Sequence, residues 1–126
     1  MNPLDIIAKY YPVGSEAYRI LVIHSRSVAD KALAIARMHP EMNLDLTFVE
    51  EAAMLHDIGI FRCNAPDIDC HGDAEYICHG YLGAELMRAE GYPRHARVCE
   101  RHTGTGITLA MIEELSLIHI SEPTRH

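Results

Sequence analysis

Residues 52–64, AAMLHDIGIFRCN, lead an apolar run, Ala52 to Leu55, into an imidazole and a carboxylate side by side, His56 and Asp57, with Gly59 beyond as the expected stop. Adjacent helical residues diverge by about 100°, so neighbouring side chains share a target only where a helix is ending. Three further histidines sit at regular places: His24 inside a long helical pattern, His79 at the opening of a later one and His102 at the close of another. Their separations are too wide for a finger-type zinc site and suit one ligand from each helix of a bundle. A carboxylate among imidazoles fits a borderline divalent ion: Mn, Fe, Co, Ni or Zn. Such an ion satisfies buried polar groups and lowers the pKa of a bound water towards ~7. His24 falls on the stripe of Ala17, Ile20 and Val28, which predicts that it points inward.

Other chemistry is less well supported. Arg26, two residues after His24, and Arg62, just past the HDIG turn, flank the expected ligands and are the candidate contacts for a substrate phosphate. Arg94, Arg97 and Arg101 read as solvated surface. His95, Cys99 and His102 form one helical stripe, in which Cys99 is expected to be a small buried hydrophobe and His95 to be partly exposed. His71, among Asp67, Asp69 and Asp73, is an alternative ligand, and His39 before Pro40 suits the negative end of a helix. No Gly-x-Ser-x-Gly occurs and no cysteine looks activated, so covalent catalysis has no support. The TGTG after His102 is no phosphate-cradling loop, because no Gly-Lys-Ser/Thr follows.

The elements that must position these residues read as helix after helix. Pro3 to Tyr10 predicts a short amphipathic helix, and Ser15 is an N-cap for a second from Glu16 to about Met38. Its apolar residues recur at three- and four-residue steps, and Pro40 ends it. Thr47 and Glu50 form a capping-box pair for a third helix that runs to the His-Asp pair. Residues 60–78 are turn-rich and acidic and predict a long surface loop. A fourth helix covers about 79–90, closed by Gly91, and Pro93 opens a fifth to about His102. LAMIEE starts another. With no strand-period alternation of useful length and no internal repeat, the fold class is an all-α helical bundle.

A chain of 126 residues, 48% hydrophobic, has the size and composition of one globular domain. No apolar run approaches the ~18 residues of a membrane span, and MNPLDIIAKYY lacks the features of a secretory signal, so the expectation is a cytoplasmic protein with no membrane partner. The four cysteines contain no C-x-x-C pair, which predicts reduced thiols. A net charge of −7 disfavours nucleic acid as a partner, and an anionic substrate would need that charge offset locally, which a metal ion does. Nine histidines point the same way.

The last twelve residues, LSLIHISEPTRH, break with the helix begun at Leu109–Glu114. Leu115–Arg125 matches, letter for letter, the translation of a transposon-type sequencing-library adapter. The expected division is therefore a functional unit over 1–114, incomplete at its C-terminus, and a non-native tail over 115–126, with His119 and His126 set aside.

HDIG at 56–59, preceded by His24 in the HSRSVADKALAIA helix, resembles the HD superfamily of metal-dependent phosphohydrolases over roughly residues 16–114. The resemblance implies His24, His56 and Asp57 as ligands of a main metal. His79 and His102 match, by order and helix placement, the extra histidines of members with a second ion. Asp57 would then bridge two ions, with a hydroxide as nucleophile and His56 and Asp57 at the catalytic centre. The implied substrate is a small nucleotide-like or phosphorylated molecule, cleaved at a phosphoester or phosphoanhydride bond. A non-catalytic metal-stabilised or nucleotide-sensing module is the alternative, as is an inactive truncated fragment. The family's last aspartate ligand has no counterpart before Glu114, and the GYP signature of cyclic-dinucleotide hydrolases is absent.

Overall fold

The computed structural model describes residues 1–102. The expected LAMIEE helix and the 115–126 segment lie outside the described residues. Those described form five α-helices, α1 (Pro3–Tyr10), α2 (Glu16–Met38), α3 (Leu46–Leu55), α4 (His79–Ala89) and α5 (Pro93–Arg101), with one two-stranded antiparallel ribbon, β1 (Asn64–Ala65) and β2 (Cys70–His71). The architecture is all-α, and no described helix is long and apolar enough to cross a membrane.

Local chemistry sets the helix starts. Asn2 caps α1 by accepting from the Leu4 N–H at 3.0 Å, and Pro3 occupies the first turn, where its missing N–H costs nothing. Ser15 caps α2 through the Tyr18 N–H, and α2 spans the predicted range. The third helix corrects its prediction: Asp45 is the cap, accepting from the Phe48 N–H at 3.2 Å, and Thr47 lies inside the helix. α3 is the central element. Phe48, Val49, Ala52, Ala53, Met54 and Leu55 are all buried, with α2 along one side and α5 along the other. Gly91, at φ +92, adopts the left-handed turn that lets α5 fold back on α4.

The segment between α3 and α4 runs over the surface as predicted, but it is folded and not an open loop. It folds into 3-10 turns at Ile58–Arg62, Pro66–Ile68 and Tyr76–Cys78, joined by the β1–β2 ribbon. Cys63 and Cys70 are buried beneath it, so its small side chains serve as core. Tyr11, at the end of α1, pins the first turn. Its hydroxyl donates to the Ile58 carbonyl at 2.8 Å and accepts from the Phe61 N–H at 2.9 Å. The rings of Tyr10 and Tyr11 pack on Phe61 at 5.5 and 5.4 Å between centroids.

Gly59 also departs from its expected role. α3 has already ended at Leu55, and Gly59 sits inside the following turn, pressed against α4. A Cβ there would lie 2.2 Å from the His79 carbonyl oxygen and 2.4 Å from the Gly83 nitrogen, both backbone atoms that cannot swing aside. The glycine is required by close approach of backbone to backbone.

Two stability predictions follow from these contacts. Gly59→Ala forces α4 outward and should cost at least about 2 kcal/mol, as overpacking of a tight core does; a denaturant titration with an unchanged midpoint would refute the contact. Tyr11→Phe strands a buried carbonyl and a buried N–H, for an expected loss of about 1–3 kcal/mol, visible as a lower melting temperature.

Candidate metal centre

The end of α3 solves the problem of two adjacent side chains sharing a target. His56 keeps helical dihedrals, whereas Asp57, at φ −103 and ψ 13, has left the helix for the bridge region, common at active sites. The change turns the carboxylate so that its Oδ2 lies 3.2 Å from His56 Nε2. Oδ2 also receives His24 of α2, whose Nε2 is 3.1 Å away. The other oxygen, Oδ1, faces His79 Nε2 at 3.2 Å, at the start of α4, and His102 Nε2 at 3.1 Å, at the end of α5. One carboxylate is thus shared by two imidazole pairs.

The outer nitrogens explain why the inner ones converge. His56 Nδ1 donates to the Ala53 carbonyl at 2.5 Å, His79 Nδ1 to that of Tyr76 at 2.7 Å and His102 Nδ1 to that of Cys99 at 2.7 Å. In each case the partner is the residue three positions earlier, so a final helical or 3-10 turn supplies its own anchor. With the Nδ1 protons committed, the network assigns a lone pair to each Nε2 of the neutral rings, aimed at Asp57. His79 and His102 bring theirs to 2.9 Å of each other. Lone pairs and carboxylate oxygens at such spacing need a cation between them, either a proton or a metal ion. The donors fall into two groups, His24, His56 and Asp57, and Asp57, His79 and His102, each with ligand atoms within 4.8 Å of one another. Both sets have the imidazole and carboxylate chemistry of a divalent ion, and Asp57 belongs to both.

Burial and charge fit this reading. Burial alone would raise the Asp57 carboxyl, but the imidazoles of His102, His56 and His79 outweigh it and hold it well below the usual carboxylate range. Asp57 in turn, through its hydrogen bond, raises the proton affinity of His79 above the ordinary 6.5, against the opposing effect of burial. The side chains of His56, Asp57, His79 and His102 are nearly enclosed. His24 differs from its prediction: its side chain is 52% exposed, so it forms the rim of the centre and not its interior. Beside it opens a cavity of about 210 Å³ that touches His24 and Asp57, with Tyr11 and Tyr76 in its wall. A second, of about 470 Å³, touches His79 and His102. Tyr76 lines both, and its ring packs 4.4 Å from that of His79. Neither tyrosine was singled out from the sequence, because neither carries a spacing or motif that marks it.

The remaining candidates lie elsewhere. The Arg26 guanidinium is held by Glu50 of α3 at 2.9 Å and by Asp30 at 3.0 Å, and it lines a separate groove with Leu4 and Met54. Arg62 is exposed at the end of its turn, outside the lining of the cavity by His24. His71 pairs with Asp69 at 2.9 Å on the surface, and His39 caps the end of α2. Cys99 is buried as expected, its thiol pushed up to about 12 by desolvation. His95 is not partly exposed but buried: Phe48 packs on its ring, and Nε2 meets Glu51 at 3.0 Å.

Comparison with known proteins finds relatives and a family. The chain is 34% identical over 105 residues to a tRNA (cytidine(56)-2'-O)-methyltransferase of Thermoplasma volcanium, covering 82% of this chain and 25% of that protein. It is 36% identical over 100 residues to an uncharacterized protein of Methanocaldococcus jannaschii, covering 77% and 53% respectively. A tRNA (cytidine(56)-2'-O)-methyltransferase of Picrophilus torridus is 31% identical over 99 residues, covering 78% and 25%. The chain thus spans between a quarter and about half the length of these relatives. No solved structure matches it. The family model for the HD domain matches residues 21–121, a stretch that includes every histidine and the aspartate of the centre, and the chain belongs to the HD domain family.

Proposed function

We propose that this chain is a metal-dependent hydrolase of phosphoester or phosphoanhydride bonds in a small nucleotide-like substrate. The observation that carries the reading is the division of Asp57 between two imidazole pairs, with each carboxylate oxygen 3.1–3.2 Å from two Nε2 atoms. Membership of the HD family supports it. His24, His56 and Asp57 would hold one divalent ion; Asp57, His79 and His102 would hold a second. Bound there, such ions supply the positive charge that polarises a phosphoryl oxygen and acidifies water.

The chain's own residues prepare that chemistry. Asp57 stays ionised at neutral pH, so its charge is available to both ion positions. The carbonyls of Ala53, Tyr76 and Cys99 fix three imidazoles in the tautomer that binds an ion, so little reorganisation remains when one arrives. His24, on the rim, leaves one side open to the adjoining cavity, where a phosphate can approach. The ring of lone pairs supports hydrolysis and not the methyl transfer in two relatives' names. Near-complete enclosure of the other four side chains also suits an ion that only braces the fold, which is the second reading.

Elemental analysis with a turnover assay separates these. The parent chain should bind two equivalents of Mn and cleave a chromogenic phosphomonoester or diester. His79→Ala should retain one equivalent, and His56→Ala should lose the ion it holds with His24 and more turnover than the ~10–100-fold that loss of a ligand's outer partner costs. Full metal with no turnover of any phosphoester would favour the bracing role; no metal in a folded parent would remove both readings.

The pH dependence of ion binding has a definite sign. Because Asp57 raises the His79 pKa, a proton occupies Nε2 in the metal-free protein as pH falls, and an ion must displace it. In the metal-free fold this contact contributes stability that is fully present below about pH 6.5 and fades as pH rises through the folded value. Stabilisation by added Mn should therefore be larger at pH 8 than at pH 6 in thermal melts, and proton release should be measurable by calorimetry in buffers of different ionisation enthalpy. Equal stabilisation at both would count against His79 as a ligand.

A further inference from the structure

The cavity beside His24 has a chemistry of its own. Ala17, Ile20 and Leu21 of α2 form one wall, and Ile60, Ile68 and Cys70 of the folded connection form the other. Two of its polar groups are already engaged: the Tyr11 hydroxyl both donates, to Ile58, and accepts, from Phe61, and the Cys70 thiol points at the Ile68 carbonyl, 3.7 Å away, which leaves the Tyr76 phenol as the neutral polar group in the lining. Only His24 and Asp57, at the metal centre, bring charge to it. At about 210 Å³ it exceeds the ~150 Å³ apolar cavity that accommodates benzene and falls below the ~300–1,000 Å³ of a drug-sized pocket. It has room for one ring system and little more.

Among the described residues no lysine or arginine lines either cavity, and the second contributes the acidic Glu100. Four of the basic residues are engaged elsewhere: Lys9 by Glu90, Arg19 by Glu16, Arg26 by Glu50, Arg88 by Glu100. A polyphosphate chain needs several positive partners beyond the ions that grip one phosphoryl group. Among the described residues neither cavity provides them.

We infer that the cavity bounded by Ile20, Leu21, Ile60 and Ile68 is a specificity subsite for an uncharged single-ring group, so that the substrate is a phosphoester with one phosphoryl group on such a ring-bearing alcohol and not a polyphosphate. The inference rests on the metal reading above and narrows it. The phosphoryl group lies at the ions, with His24 on the rim between them and the cavity, and the ring enters between α2 and the Pro66–Ile68 turn.

The test uses the full chain loaded with Mn and two non-hydrolysable probes, phenylphosphonate and methylphosphonate, titrated by calorimetry. Burial of the ring should make phenylphosphonate bind about ten-fold or more tightly than methylphosphonate. Ala17→Phe, which fills the cavity from α2, should abolish that preference while leaving methylphosphonate affinity unchanged, the latter serving as the check that the variant folds and holds metal. Ile68→Phe fills it from the opposite wall and should do the same if Ala17→Phe does not fold. Equal affinity for the two probes in the parent, or a preference that survives both filled variants, overturns the subsite while leaving the metal reading intact. Binding of neither probe, or binding indifferent to a chelator, overturns the metal reading and the subsite with it.

Discussion

The structure depends on how one buried carboxylate is neutralised. Asp57 has little solvent, and an isolated charge in such a place would be untenable. What makes it tolerable is four imidazoles from four separate stretches of chain, each within 3.2 Å of one of its oxygens. Three of those rings spend their other nitrogen on a carbonyl of their own turn. The carboxylate therefore draws the ends of α3 and α5, the start of α4 and the middle of α2 to one point. Much of the remaining architecture holds those ends in place: Tyr11 locks the turn after Asp57, and the α4–α5 hairpin carries the second histidine pair as a unit.

This arrangement couples the chemistry to the fold. Without a metal ion, protons must occupy the ring, because imidazole lone pairs and carboxylate oxygens cannot face one another unscreened. With ions, the same atoms become ligands that link positions far apart in sequence, so binding energy is also folding energy. Inactivity and instability should accordingly be hard to separate at His56 and His79, and separable at the cavity wall, where Ala17 and Ile68 touch no ligand position through hydrogen bonds.

A good deal of this was legible in the sequence, for identifiable reasons. Helix boundaries near Pro3, Ser15, Gly91 and Pro93 carry strong local signals that the tertiary structure had no cause to override. The grouping of His24, His56, Asp57, His79 and His102 was readable because each falls on a helix or at a helix end, where bundle geometry directs side chains to a common core. Other features had no such signal. Arg26 was placed near a phosphate because it follows His24, yet the neighbour that claims it, Glu50, is brought there only by the packing of α2 on α3. Asp45 outcompeted Thr47 as a cap through a difference of two residues in where the chain enters the helix. The 60–78 segment looked like loop because short 3-10 turns leave no periodicity, and its buried cysteines resemble solvent-tolerant ones in a polar context. His24 lies on the apolar stripe but near its edge, so it reaches Asp57 while remaining half in solvent.

The glycine at 59 acquires a further meaning from its position. The atom a side chain would strike is the carbonyl of His79, a residue of the second imidazole pair, while two residues earlier Asp57 joins both pairs. The missing methyl group is thus a spacer set to zero between the two halves of the centre. How closely the two imidazole pairs stand is gauged by backbone touching backbone. The spacing of the donor groups is thus written in a residue that carries no side-chain donor.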